Sequence, residues 1–462
     1  MAIDVLVVGG GAAGIAAAVV AARSGCAVTI VDSGPAVGGQ YYRGAKPPEG
    51  GSGLSYGALR RAFDELVATG RIDRRLNTYA YALEQHVDGF RLRTRGDDRH
   101  RSDVGEVDAR AVVIATGAFD RQLPFPGWTL PGVMSGGGAQ ALVKGSGVLP
   151  GRRIVVAGTG PFLLAVAHAL ISAGGNVVAV VEANDPLGLA RHTRSVLPAA
   201  GKSADLARFL GALAKNRVPY LRRHRVRQAT GSGRLDSVTI SRVDVEWQPI
   251  AGTERLLECD ALAIGYGFIA QTDLAGQVGA RMRLGSDGGL AVDVDERQRT
   301  SVDGLLAAGE TTGIGGVDLA RLEGLIAGIA AVEHCGLRPA LSESAIASSL
   351  REARGLRGFA DALHATFAVR DGWRDDVDDE TLVCRCEEVP AGKVRGAVTD
   401  LGARDARSVK LLTRAGMGWC QGRVCAPAVD ALCGFDSSAS LIGGSYRPVA
   451  VPVPLSAIAV RH

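Results

Sequence analysis

A short apolar run, a glycine turn, a longer apolar run and a second short apolar run recur along this chain. Residues 3–8, IDVLVV, have the continuous apolar character of a buried strand, and the turn GGGAAG leads into IAAAVVAARSG, whose length and small apolar residues predict a helix. AVTIVD then predicts a second buried strand. The pattern returns at Arg153 in RIVVAGTGPFLLAVAHALISAGGNVVAVVEA, which carries no formal charge from Ile154 to Val181. Such a stretch imitates a membrane span, but Gly158, Gly160 and Pro161 interrupt it near the start and Gly174–Asn176 near the end. Two short buried strands around a helix are therefore expected, not a bilayer helix. AVVIATG predicts another buried strand, ending at Ala115, Thr116 and Gly117, and VDGLLAAGETTGIGG a further strand and turn before a helix from about Val317. LRRHRVR (221–227) alternates as a strand, read as a solvated basic face ahead of a docking patch for an acidic partner.

The glycine turns have chemistry as well as geometry. Gly9, Gly11 and Gly14 make G-x-G-x-x-G between a strand and a helix, and Asp32 ends the next strand. The first glycine permits the turn, the second lets the backbone approach a pyrophosphate, and the third lets helix and strand pack closely. A helix N-terminus attracts that anion, and the carboxylate suits ribose hydroxyls. In the second unit Gly158 and Gly160 supply G-x-G and Glu182 ends the second strand, but Leu163 replaces the third glycine. A carboxylate there repels a 2′-phosphate, which favours NAD over NADP; an inherited lobe binding another adenine nucleotide, or nothing, is the competing reading.

Length and charge narrow the class. At 462 residues two or three domains are expected, and 52 Lys+Arg against 48 Asp+Glu is too balanced to imply nucleic-acid binding from bulk charge. The start MAIDVLVV shows no basic n-region or cleavage site, so a cytoplasmic protein is expected, with thiols kept reduced. Four of the eight cysteines then stand out: Cys384 and Cys386 as C-x-C, and, after 33 residues, Cys420 and Cys425 as C-x4-C. Four thiolates suit a [2Fe–2S] cluster or a tetrahedral zinc, and the tight C-x-C argues against common zinc knuckles. Gly416, Gly418 and Gly422 would bring backbone amides near sulfur. PAGKVRGAVTDLG between the pairs predicts a helix, and ARDARSVKLLTRAGMG a helical or extended stretch. Cys26, Cys259 and Cys335 stand alone in sequence and read as small core residues; Cys433 reads as a bystander on a helix. No C-x-x-C lies near either glycine loop, and no Ser/His/Asp set or paired carboxylates argue for substrate chemistry on this chain.

Taken together, G-x-G-x-x-G with Asp32, the VGGQYYR segment with Gly39, Gln40 and Arg43, ATG at 115–117 and AGETTGIGG with Gly309 and Glu310 resemble the FAD domain of the two-dinucleotide-fold flavoproteins. Glu310 stands where that family usually carries Asp, one methylene longer, at the contact to the flavin ribityl or phosphate. TRAGMGWCQGRVC resembles the bacterioferritin-associated-ferredoxin-like [2Fe–2S] domain. With the connecting phrases ATGAFDRQLPFPGWTLPGVMSGGGAQ and AGETTGIGGVDLARLEG, nearly the full length resembles the A (alpha) subunits of bacterial heteromeric flavin dehydrogenases, a group of opine oxidases, proline and D-hydroxyproline dehydrogenases and hydrogen cyanide synthase.

The resemblance implies an α/β fold of two Rossmann-like lobes, a split FAD domain with an inserted second lobe, plus a small C-terminal iron–sulfur domain. The expected boundaries are FAD domain 1–123 and 283–335, second lobe 124–282, helical linker 336–377, cluster domain 378–435 and an extended Pro/Val tail 436–462. It implies FAD, a [2Fe–2S] cluster on the four cysteines, and NAD(H), ATP or no ligand in the second lobe. It also implies a beta subunit carrying the amine- or amino-acid-oxidising flavin, sometimes a small ferredoxin-like subunit, with no transmembrane segment and membrane association only through partners. The main alternative is a self-sufficient NADH-dependent flavin reductase feeding a ferredoxin-like protein; a zinc-stabilised docking module on a flavoprotein is a third.

Overall fold

A computed structural model describes residues 3–44, 55–97, 103–192, 195, 203–435 and 447–458. By internal contacts the chain forms two compact units: residues 1–119, 269–361 and 444–462 in the first, and 120–268 and 362–443 in the second.

The first unit is built on a seven-stranded sheet. Its strands lie in the order Ile72–Arg75, Val28–Val31, Ile3–Val8, Val104–Ile114, Gly89–Arg95 and Tyr79–His86, and Leu305–Ala307 adds to Val104–Ile114. The long strand Val104–Ile114 does two jobs. Its first half pairs antiparallel with Gly89–Arg95, and its second half pairs parallel with Ile3–Val8 and Leu305–Ala307. Helices Ala12–Arg23 and Val317–His334 pack on one another. Their closeness requires glycine: a Cβ on Gly324 would lie 2.0 Å from the Ala13 carbonyl oxygen, and one on Gly328 2.7 Å from that of Ala17. Residues 269–282, placed with the second lobe by the sequence pattern, pack here instead, because Leu274, Ala275 and Ala280 bury with Leu83 and Val292.

The second unit has a parallel five-stranded sheet in the order Tyr220–Arg222, Val177–Glu182, Ile154–Gly158, Ala261–Gly265, Val133–Ser135. The charge-free stretch forms strand Ile154–Gly158, helix Phe162–Ser172 and strand Val177–Glu182, as its glycine breaks predict. Among the described residues no helix is long and apolar enough to cross a membrane. A three-stranded antiparallel sheet, His224–Thr230, Ser237–Arg242 and Arg255–Glu258, flanks it.

The basic run 221–227 departs from the solvated face expected of it. Arg223 takes a positive φ of 54° and breaks the run into two strands, and Arg225 is buried at 2% exposure. Its Nη1 lies 2.6 Å from Asp376 Oδ2, an off-axis ion-pair contact, and Arg227 Nη2 lies 2.7 Å from Asp376 Oδ1. The four-cysteine segment belongs to this unit, and its Val383, Val389 and Val394 share one core with Val226, Val238 and Trp247. Of the tail, residues 436–446 and 459–462 lie outside the described residues. The remainder lies along the first unit, where Ala450 N–H donates to the Tyr81 carbonyl at 2.7 Å and Arg447 pairs with Asp273 at 2.8 Å.

Candidate functional site

All the first-lobe candidates gather at the strand ends of the first unit. Gly9 follows Ile3–Val8, and a Cβ on Gly14 would lie 1.8 Å from the Gly9 carbonyl oxygen, so helix Ala12–Arg23 can start there only with glycine. Gly38 N–H donates to the Gly10 carbonyl at 2.7 Å, and a Cβ on Gly39 would lie 3.1 Å from the Gly11 Cα. Gln40 accepts from Arg43 Nε at 3.1 Å. Asp32 accepts from the Gly10 and Gly34 amides. Burial pushes its carboxyl above the usual carboxylate range, and those two bonds and the Arg43 charge pull it back.

Ala115 and the loop at Gly309 complete this ring. Ala115 N–H donates to the Val8 carbonyl at 2.8 Å, Gly117 takes a positive φ of 78°, and Thr116 Oγ1 lies 3.4 Å from Thr311 Oγ1. Glu310 turns back on its own loop, its two oxygens accepting from Gly315 and Gly316 N–H, each at 2.9 Å. The extra methylene relative to Asp lets the carboxylate reach those amides. Residues outside the sequence motifs lock the loop: Glu323, 3% exposed, accepts from Gly309 N–H and Thr312 Oγ1, each at 3.0 Å, and pairs with Arg357. The signal for Glu323 was a lone acid within the apolar run LEGLIAGIAAV. Two helix N-termini, Ala12 and Val317, thus open beside one ring of backbone amides, a setting suited to a pyrophosphate.

The second glycine loop is closed. Leu163, in place of the third glycine, is 1% exposed in the lobe core. Glu182 is 0% exposed, and its oxygens accept from Gly160 N–H (2.8 Å), Thr159 Oγ1 (2.8 Å) and Asn184 N–H (2.9 Å). Burial pushes its carboxyl up to about 7 against those three bonds. Asn184 Nδ2 in turn donates to Thr159 Oγ1 at 2.8 Å and to the Ala368 carbonyl at 3.0 Å, while its Oδ1 accepts from Trp247 Nε1 at 3.1 Å. Phe367 lies over the loop, its Cβ 4.0 Å from where a Cβ on Gly160 would be. The Gly160 amide and the strand-end acid, the two groups a dinucleotide would use, are thus joined to each other beneath the chain's own backbone.

The four candidate cysteines converge. Cys384 ends strand Leu382–Cys384 and Cys425 caps helix Ala426–Cys433; they are 1% and 3% exposed. Cys386 is exposed and Cys420 half-buried. Cys425 and Cys384, Cys425 and Cys420, and Cys420 and Cys386 lie close enough for each thiol to perturb the titration of the other. The Cys425 thiol and the amides of Gly416, Glu387 and Cys386 pull Cys384 down to about 6, against burial. Cys420 is pulled down to about 5, first by Cys425 and then by the Val424 amide among others. Gly416 N–H stands 3.5 Å from the Cys384 sulfur. Among the described residues no group of three or more His, Cys, Asp or Glu side chains is set to hold a metal ion as they stand, but the four thiols lie near one another and the Gly416 amide faces sulfur, donor chemistry that suits an anionic iron–sulfur cluster.

The fold is α/β, with a dinucleotide-type glycine loop in the first unit and four neighbouring cysteines in the second. Residues 3–324 match the pyridine nucleotide-disulphide oxidoreductase family and residues 382–433 the BFD-like [2Fe–2S] binding domain. The chain belongs to that oxidoreductase family, with FAD and a [2Fe–2S] cluster as its cofactors. It is 35% identical to hydrogen cyanide synthase subunit HcnB of Pseudomonas aeruginosa, over 91% of this chain and 90% of that one. It is 32% identical to an opine oxidase subunit of Rhizobium meliloti, over 96% of this chain and 84% of that one. Among solved structures, L-proline dehydrogenase from P. horikoshii shares the fold, with a TM-score of 0.70 and 21% identity, covering 100% of this chain and 80% of that chain.

Proposed function

We propose that this flavin-dependent oxidoreductase is the electron-transfer subunit of a heteromeric amine or amino-acid dehydrogenase of the opine, proline or hydroxyproline type. It works in the cytoplasm, reaching the inner membrane only through partners, and relays electrons from a partner subunit's flavin to an acceptor. That partner is a beta subunit with the substrate-oxidising site, joined in some assemblies by a small ferredoxin-like subunit. The relatives that match nearly the whole chain are themselves named as subunits, which supports this reading.

When bound, FAD supplies two-electron chemistry and the cluster single-electron transfer. Gly9, Gly11 and Gly14 hold the FAD pyrophosphate against the N-terminus of Ala12–Arg23, and Asp32 takes the ribose hydroxyls. Gly39, Gln40 and Arg43, Ala115–Gly117 and Gly309 with Glu310 shape the remaining wall. Cys384, Cys386, Cys420 and Cys425 ligate the cluster. Cys384 and Cys425 would hold it from the buried side, and Cys386 and Cys420, the more exposed pair, from the other.

The observation that carries the relay over an NADH reductase is the closed second loop. A reductase needs Gly158, Gly160 and Glu182 open to a nicotinamide nucleotide, whereas here Glu182 is 0% exposed and the Phe367 and Ala368 carbonyls lie on the loop, accepting from Thr159 Oγ1 at 3.4 Å and Asn184 Nδ2 at 3.0 Å. NAD(H) and ATP would both have to displace that backbone. The test is an anaerobic visible spectrum of the purified chain before and after NADH. Flavin bands with broad iron–sulfur absorbance, unbleached by NADH and bleached when the amine-oxidising partner and its substrate are added, are expected. Prompt bleaching by NADH alone would overturn the relay and establish the reductase.

A further inference from the structure

The two lone cysteines of the first unit are neighbours. Cys26 follows helix Ala12–Arg23, and Cys335 is the C-cap of helix Val317–His334. The helices run parallel and in contact, with Gly324 against Ala13 and, four residues on in both, Gly328 against Ala17. Continuing that register brings the two C-terminal ends together as it does the two N-terminal ends. Asp4 ties the junction: its carbonyl accepts from Cys335 Sγ at 3.4 Å, and its Oδ2 accepts from Ala27 N–H, next to Cys26, at 2.9 Å. Ser24, two residues before Cys26, accepts on its Oγ from Ala340 N–H, five residues beyond Cys335, at 3.0 Å, and the two thiols lie close enough to perturb each other's titration. They are 1% and 6% exposed, yet Gly25, Ala27, His334 and Gly336, the residues on either side of them, are all exposed. Both cysteines thus stand at helix ends, where helices fray. The neighbouring Cys335 thiol and burial hold Cys26 up, while the Cys26 thiol and then the Arg110 charge lower Cys335. Two neighbouring thiols, one of them held more acidic than the other, suit closure to a disulfide once one is oxidised.

We propose that Cys26 and Cys335 form a reversible disulfide on reaction with a hydroperoxide, and that this bond clamps the far end of the helix pair whose near end frames the FAD loops. The Cys335 thiolate attacks one oxygen of hydrogen peroxide, giving a sulfenic acid and hydroxide. The Cys26 thiol attacks the sulfenic sulfur, the S–S bond forms, and the sulfenic oxygen leaves as water. Two thiols thus lose two electrons and two protons, and the peroxide is reduced to two waters. The bond ties residues 309 apart in sequence, where cross-linking restricts the unfolded chain most. Its effect on FAD rests on reading the glycine ring as the FAD site.

The full-length holoprotein is treated with a small excess of hydrogen peroxide, alkylated, digested without reductant and analysed by mass spectrometry. FAD release on warming is followed by flavin fluorescence in the same samples. The expected result is a linked Cys26–Cys335 peptide that a dithiol reductant separates, with FAD release slowed several-fold in oxidised wild type and unchanged by peroxide in Cys26→Ser and Cys335→Ser. Separately alkylated Cys26 and Cys335, or either thiol carried on to sulfinic acid, would overturn the disulfide; a linked peptide with unchanged FAD release would overturn the clamp. Asp32→Ala reports on the loop reading alone: retention of FAD as in wild type would sink that reading while leaving the linked peptide in place. If a serine variant does not fold, Cys335→Ala serves for the same comparison.

Discussion

Asp32 and Glu182 end equivalent strands, and each accepts a hydrogen bond from an amide of its own glycine loop, Gly10 in one case and Gly160 in the other. Asp32 keeps an exposed side, whereas Glu182 has none. Desolvation outweighs the three bonds to Glu182 and raises its carboxyl from 4.5 to about 7. Between those values the folded chain holds a proton that the unfolded chain has released, so stability falls as pH rises through this window. Converting the shift gives a loss of about 3 kcal/mol between pH 4.5 and 7. Urea unfolding of wild type and Glu182→Gln at stepped pH checks it: the wild-type midpoint should drop across the window and the variant's profile should be flatter. At this scale the sequence told where the loop residues lie but not their fate. Glu182 looked equivalent to Asp32 because position along a strand is all that a motif records. What separates them is Asn184, Trp247 and Ala368, which only the fold brings together. Arg357 was invisible for the same reason, lying 34 residues from the Glu323 it neutralises.

Elements repeat this division between pattern and contact. Strands and helices at the glycine loops were legible because each is a run of one period bounded by glycine, and fully buried strands leave little room for another reading. Strand His224–Thr230 was misread because alternating arginines look solvated until a carboxylate arrives from elsewhere. That carboxylate is Asp376, in the turn Asp371–Asp376, 149 residues from Arg227. Arg225 and Asp376 are each 2% exposed in the side chain, and removing Asp376 leaves Arg225 buried without its carboxylate, whereas Asp376 itself also has Arg227. Asp376→Ala should therefore cost about 3–5 kcal/mol, while the double change Arg225→Met with Asp376→Leu should recover most of the loss. Denaturant unfolding of the three proteins distinguishes this from a surface pair, for which the single change would cost under about 1 kcal/mol.

For the whole molecule the question is whether the cluster segment is an appendage or part of the frame. Its sequence reads as an appendage, a change of composition after a helical linker, and the family pattern supports that picture. The packing contradicts it. Val377, Val383, Val389 and Val394 fill the same core as Val226, Val238 and Trp247, and Trp128 Nε1 donates to the Leu382 carbonyl at 2.7 Å. Trp373 is 4% exposed in that core, and the backbone of Phe367 and Ala368 covers the second glycine loop. Farther on, Arg447 and Ala450 return to Asp273 and Tyr81 of the first unit. A chain ending at Asp361 would expose the apolar faces around Val226 and Trp247, leave Asn184 without its carbonyl acceptor and strip the tail from the first unit. Each loss is a recognised route to large destabilisation, through open core or unsatisfied buried polar groups. Truncation after Asp361 should accordingly yield aggregated or dye-binding protein, read by gel filtration and by binding of an apolar fluorophore. A soluble, monodisperse, yellow fragment that lacked only the iron–sulfur absorbance would mean that the cluster segment is an appendage after all, and that the shared core contributes little to the second unit's stability.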